Sequence, residues 1–311
     1  MLVLPEFGFQ RSTTAHNVDL DVLTDWIEAS VVFIDSELSR NEVIDVLREN
    51  DIYEKQDFAE EIVGWAWNEL ERRVDTVGDG ASFVVEGRRV RRIVEWPDNA
   101  AYSFCVLLTV QVLHRSWARQ FGMNFTEQGA LFEEIIAETL EYFGWTVFRT
   151  GWAPGNEAKI KQVVQDVSTH IGEGEISGEV EKWFAEDGNE EQLDIVCSDP
   201  FYDEVGGRPL YFFQCASGAN WIHKLHTPDP ESWRRVISFT TIPQRGFAIP
   251  FSLLNDDFRR RAGKINGMLL DRFRIQAPSY GGDRNWLSDG LRDRIREWML
   301  PRVDKLPDDR R

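Results

Sequence analysis

The run Leu210-Tyr211-Phe212-Phe213 constrains this chain more than any other feature. Successive residues of a strand point to opposite sides, so four large apolar residues in a row place side chains on both faces. A strand of that kind belongs at the centre of a sheet with cover on each side. It runs directly into Gln214-Cys215-Ala216-Ser217-Gly218, and a buried strand therefore delivers a polar amide at its tip.

The segments around it supply the cover. A strong amphipathic helix over Thr126–Phe143 stops at Gly144, and the aromatic and β-branched strand Trp145-Thr146-Val147-Phe148 follows. Another helix is expected over Ile160–Val167, then an acidic loop around Glu186–Glu191, then a strand over Leu193–Cys197. The turn-rich DPFYDEVGGRP leads into the central strand. Asp229-Pro230 is a helix start, with Asp as the cap and Pro at the first helical position, for a helix reaching about Ser238. A strand over Gly246–Phe251 completes the set. This order predicts an α/β fold, a mixed sheet flanked by helices.

The first ~120 residues read differently. Their apolar spacing predicts helices near Leu20–Leu38, Asn41–Arg48 and Asp57–Arg73, and Ser39-Arg40-Asn41-Glu42 has the spacing of a capping box. Phe83–Ile93 reads as a hairpin turning at Glu86-Gly87 and carrying Arg88, Arg89, Arg91 and Arg92. Two helices followed by a basic hairpin suggest a winged helix-turn-helix that contacts DNA; the other reading of the four arginines is a solvated face balancing an acidic chain. The apolar stretch Ala100–Leu113 contains Gln111 and is shorter than the roughly 20 residues that span a bilayer, so a buried helix is expected and no membrane partner. The expected division is a helical region over residues 1–120 and an α/β domain over 121–311.

Three scattered cysteines, Cys105, Cys197 and Cys215, form no disulfide framework, which fits a reducing cytoplasm. The net charge of −18 argues against a surface devoted to phosphate, although binding depends on local basic patches. Twelve tryptophans, among them Trp26, Trp65 and Trp67, suit either a core or a homodimer or partner-protein surface.

Three polar residues stand out against their surroundings. Glu134, Glu138 and Glu141 repeat at helical spacing as a solvated stripe, whereas Glu133 lines up with Ala137 and Leu140 on a partly apolar flank. Asp194 lies inside Leu193-Asp194-Ile195-Val196, where strand propensity is high and Asp is disfavoured. Gln214 closes the central strand. Two carboxylates and an amide oxygen meeting at adjacent strand ends would form an oxygen-rich pocket suited to Mg²⁺ or Mn²⁺.

These residues resemble the PD-(D/E)XK, or restriction-endonuclease-like, nucleases over about residues 124–251. Gly129-Ala130-Leu131-Phe132-Glu133, continuing to Leu140 and Gly144-Trp145, is similar to the first helix of Mrr-type restriction endonucleases. Leu193-Asp194-Ile195-Val196 is similar to the metal-binding strand, and Phe213-Gln214-Cys215-Ala216 to the Gln-x-Lys variant of the second motif. The resemblance implies a restriction-endonuclease-like core that hydrolyses DNA phosphodiesters with Mg²⁺ or Mn²⁺, Glu133, Asp194 and Gln214 holding or orienting the metal. Ala216 stands where that family has its catalytic lysine, and Lys224 is the nearest candidate to supply the charge from outside the motif. By analogy with restriction enzymes, defence against foreign DNA is the natural context.

The alternative from a different class is a nuclease fold without catalysis, used for nucleic-acid or protein binding. Two lesser readings concern His223 and His226. With Cys215 and Cys197 they could form a structural zinc site, and Cys215 with His223 could form a nucleophilic pair.

Overall fold

The computed structural model describes residues 1–9, 18–122, 125–150, 160–184, 192–199, 201 and 205–308. The chain divides into two compact units, one formed by Met1–Asn124, Pro250–Leu254 and Arg272–Arg311, the other by Phe125–Ile249 and Asn255–Asp271.

The first unit begins with helix α1 (Leu20–Phe33), strand β1 (Glu37–Ser39), α2 (Arg40–Glu49) and α3 (Gln56–Val77). The helix expected to reach Leu38 stops earlier, because Glu37–Ser39 is extended and pairs with a distant strand. The capping box is formed: the Ser39 hydroxyl accepts from the Glu42 backbone N–H, and the Glu42 carboxylate accepts from the Ser39 N–H at 2.7 Å. The hairpin consists of β2 (Phe83–Glu86) and β3 (Arg89–Arg92), with β1 on the other side of β3, giving the antiparallel order β1-β3-β2. Ala100–Leu113 is the buried helix α4, followed by the short α5 (Arg115–Ala118). Trp26 and Trp67 are fully buried and serve the core; Trp65 is exposed.

In the second unit α6 (Thr126–Tyr142) precedes β4 (Thr146–Arg149), α7 (Ile160–Ile171), the short α8 (Val180–Trp183), β5 (Ile195–Ser198) and β6 (Leu210–Cys215). A short α9 (Pro230–Trp233), β7 (Gln244–Ala248), α10 (Asn255–Ile265) and β8 (Gly267–Leu270) follow. The sheet order is β4-β5-β6-β7-β8, antiparallel across β4, β5 and β6 and parallel across β6, β7 and β8. This is a mixed sheet with β6 at its centre and helices flanking it. The expected acidic loop at residues 186–191 lies outside the described residues. The helix expected to reach Ser238 ends at Trp233, although Asp229 caps it by accepting from the Glu231 N–H.

The alternation along β6 sorts the layers. Phe148, Val196, Leu210 and Phe212 pack with Val163, Val164 and Val167 of α7 and with Trp233 in one cluster. Phe213, which points the other way, lies across Gly246: a Cβ at Gly246 would fall 2.5 Å from its ring carbons. The two strands can sit side by side there because residue 246 has no side chain.

The last segment, with α11 (Arg272–Ile275) and α12 (Asp289–Val303), belongs to the first unit and not to the 121–311 domain expected from sequence. The physical reason is a buried charge network. The Arg272 Nη1 donates to Glu28 at 2.6 Å, the Arg73 Nη1 to Glu28 at 2.5 Å and to Asp25 at 2.7 Å, and the Tyr102 hydroxyl to Glu28 at 2.7 Å. Burial opposes ionisation of Glu28, but Arg272, Arg73 and the tyrosine hydroxyl outweigh it and hold the carboxyl below its ordinary range. Trp298 of α12 packs on Phe104 of α4 with ring centroids 5.2 Å apart.

Candidate functional site

Asp194 is accepted next to the sheet because its backbone continues the ladder. Its N–H donates to the Phe213 carbonyl at 2.9 Å, and its carbonyl accepts from the Thr150 N–H at 3.0 Å. The side chain is buried and its Oδ2 accepts from two donors at 2.5 Å, the Gln214 Nε2 and the Cys215 backbone N–H. Burial pushes its pKa up to about 6; the Cys215 N–H, the Lys224 charge and the Gln214 amide all pull the other way. The Gln214 Oε1 accepts from the Thr227 hydroxyl at 3.4 Å, and the same hydroxyl donates to the Lys224 carbonyl at 2.7 Å. Asp194, Gln214 and Lys224 are thus brought together, with Thr227 as a fourth member that no sequence motif marked.

Glu133 is placed elsewhere. In the antiparallel register Arg149 lies opposite Ile195 and Ile195 opposite Phe213, so Arg149, Phe213 and Cys215 share one face of the sheet. Asp194 and Gln214 are one residue out of step with them and lie on the other face. The Arg149 guanidinium stands 3.5 Å from the Glu133 carboxylate and 3.1 Å from that of Glu134. Glu133 and Asp194 approach from opposite faces of the same sheet end, where both their charges, added to burial, raise the Cys215 thiol well above its usual range while Arg149 opposes them. The expectation of one pocket lined by Glu133, Asp194 and Gln214 gives way to two adjacent half-sites. Glu134 is half-buried and ion-paired, so it is not the solvated residue that its spacing predicted.

Among the described residues, no group of three or more His, Cys, Asp and Glu side chains is arranged to hold a metal ion. The zinc reading fails for that reason: His223 and His226 are exposed, and Cys197 lies buried in mid-strand. The nucleophilic pair fails with it, since a thiol raised by burial at Cys215 is not a thiolate. Asp194 and Gln214 do fit a hard cation that keeps part of its water shell. Mg²⁺ is commonly held by one or two carboxylates, waters and substrate phosphate. Asp194 supplies a buried carboxylate, and the Gln214 amide presents its oxygen after a half-turn about its terminal bond.

No protein-family model matches the chain, and no curated protein or solved structure is significantly similar to it. The site therefore stands on its own geometry. No helix among the described residues is long and apolar enough to cross a membrane.

The hairpin arginines face acids. Arg89 pairs with Glu37, Arg91 with Glu86 at 2.7 Å and Arg92 with Glu95 at 3.3 Å, while Arg88 donates to Asn41 at 2.9 Å. Glu42 also lies within the field of Arg89. Four arginines are matched by Glu37, Glu42, Glu86 and Glu95, an arrangement close to neutral.

Proposed function

We propose that the second unit is a metal-dependent nuclease that hydrolyses DNA phosphodiester bonds. The observation that carries this reading is the buried Asp194 carboxylate at the end of the central strands, flanked by Gln214 and within the field of Lys224. Asp194 and Gln214 would hold Mg²⁺ or Mn²⁺, which when bound lowers the pKa of water and polarises the phosphoryl oxygen. The chain's own part is to place and balance charge. The Cys215 N–H and the β5–β6 ladder fix the direction of the Asp194 carboxylate. Lys224, whose charge reaches Asp194, can orient the attacking water and offset charge developing on the phosphate, the task the resemblance gives to a lysine at position 216. Glu133 and Glu134 hold Arg149 at the same sheet end, where its guanidinium can receive a phosphate oxygen. A cytoplasmic role against foreign DNA agrees with this chemistry.

A second reading, a nuclease-like module that binds without cleaving, is favoured by the ion pair that already engages Glu133 and by Ala216. Plasmid cleavage with Mg²⁺ or Mn²⁺, run beside calorimetric titration of the metal, separates the two. The nuclease reading expects cleavage by the parent, loss of both metal binding and cleavage in Asp194→Ala, and metal binding with slowed turnover in Lys224→Ala. Metal binding without cleavage by the parent selects the module.

A further inference from the structure

The proposed nuclease site needs a surface that holds the rest of the nucleic acid, and the nearly neutral hairpin is poorly suited to it. Helix α10 has the opposite character. Of its eleven residues only Ile265 is buried, so packing alone does not account for the sequence Asn-Asp-Asp-Phe-Arg-Arg-Arg-Ala-Gly-Lys-Ile. Its two aspartates lie in the first turn, where the helix dipole favours them. Arg260 pairs with Asp257 at 2.7 Å and Arg259 with Asp256 at 3.8 Å, each within a helical turn and largely exposed. Such solvent-exposed pairs are weak and yield readily to a phosphate. Arg261 and Lys264 form no ion pair with a described residue.

The helix lies on the Asp194 side of the sheet. Arg261 is 5.5 Å over the ring of Trp221, the first residue of the turn Trp221–Lys224, which carries the lysine whose charge reaches Asp194. Arg245 has the same strand parity as Phe247, the partner of Gln214, and donates to the Ile265 carbonyl at 2.8 Å. On α10 and the turn beside it, Arg259, Arg260, Arg261, Lys264 and Lys224 outnumber Asp256 and Asp257, in a chain whose net charge is −18.

We infer that the exposed basic face of α10, continued by Lys224, is the surface on which this unit holds the phosphate backbone of duplex DNA. The inference rests on the nuclease reading for its choice of partner and is tested independently of cleavage. A fluorescent DNA duplex is titrated with the full chain in EDTA, from about 50 to about 200 mM salt, by anisotropy. Each phosphate contact contributes about −0.9 to the slope of log K against log salt. The variant Arg259→Ser/Arg260→Ser/Lys264→Ser should therefore lose about 2.7 from the slope, so its affinity falls about fortyfold less than the parent's across that range. Replacing Arg259 and Arg260 with lysine, which keeps the charge, should retain the parent slope and shows that a loss is electrostatic. Serine at Arg88, Arg89, Arg91 and Arg92 should leave the slope unchanged. A parent that does not bind the duplex, an α10 variant with the parent slope, or a hairpin variant that loses the slope would each overturn the inference. A parent that binds through α10 and never cleaves supports this surface while removing the hydrolytic reading.

Discussion

Replacing Asp194 with asparagine should make the metal-free protein more stable above neutral pH, although it removes a residue central to the proposed chemistry. The native pKa, pushed up to about 6, exceeds the ordinary 3.8, so the folded state binds this proton more tightly than the unfolded chain does. Stability from this group is fully present below the unfolded pKa and is lost as pH rises through the folded one. The difference between the folded and the ordinary value corresponds to about 3 kcal/mol. Asparagine has the same shape, and its carbonyl oxygen can accept from Gln214 and Cys215 as Oδ2 does, without the charge. Asp194→Asn should thus gain about 1 kcal/mol over the parent at about pH 4.5 and about 3 kcal/mol at about pH 8. Hydrogen exchange of the β5 and β6 amides, compared between the two proteins at each pH, reports the difference for this unit alone. Saturating Mg²⁺ should then stabilise the parent and leave the variant unchanged, since only the form that binds a ligand gains from it. If Asp194→Asn is destabilised equally at both pH values, the carboxylate is not held against its desolvation cost, and the assignment of Asp194 as a charge awaiting a cation is wrong.

Two further substitutions test the packing. Arg272→Met removes one guanidinium from the buried network while leaving Glu28 and Asp25 in place, at a cost of about 3–5 kcal/mol, and calorimetry should show the first unit's Tm lowered by roughly 10 °C; an unchanged Tm would mean that the C-terminal segment is held by apolar packing alone. Gly246→Ala drives a methyl group into the Phe213 ring next to Gln214, costing about 1–3 kcal/mol, and urea unfolding of the second unit should register it; a neutral result would show that β6 and β7 separate without strain.

Locally encoded elements were legible in the sequence. The capping box at Ser39, the hairpin at Phe83–Arg92, the buried helix Ala100–Leu113 and, apart from the short α8, the order of helices and strands from Thr126 to β7 follow from side-chain period and turn chemistry over short distances. What was not legible depends on partners far along the chain. Glu37–Ser39 reads as the end of a helix until Arg89–Arg91 supplies its other half. Arg73 and Arg272 resemble surface residues in a local window, yet both are fully buried because their charges meet Glu28 and Asp25. At the site, an Asp in a strand drew notice to Asp194, and the structure buries its carboxylate against the Gln214 amide. Helical spacing separated Glu133 from Glu134, but it could not show that one arginine, Arg149, takes both, nor that strand parity places this arginine on the face opposite Asp194.

The first unit is completed by the last forty residues of the chain, and this orders events during synthesis. Glu28 and Arg272 are 244 residues apart. At about 5–20 residues added per second, α1 leaves the ribosome on the order of 10–50 s before its second arginine exists. Arg73 emerges early and can neutralise one of the two acids, but one carboxylate of the Asp25–Glu28 pair has no buried counter-charge until Arg272 arrives. During that interval the helices cannot close over these acids without a large desolvation cost. The nascent first unit is therefore expected to remain open, with Trp26 and Trp67 accessible to chaperones, until the intervening second unit has been made.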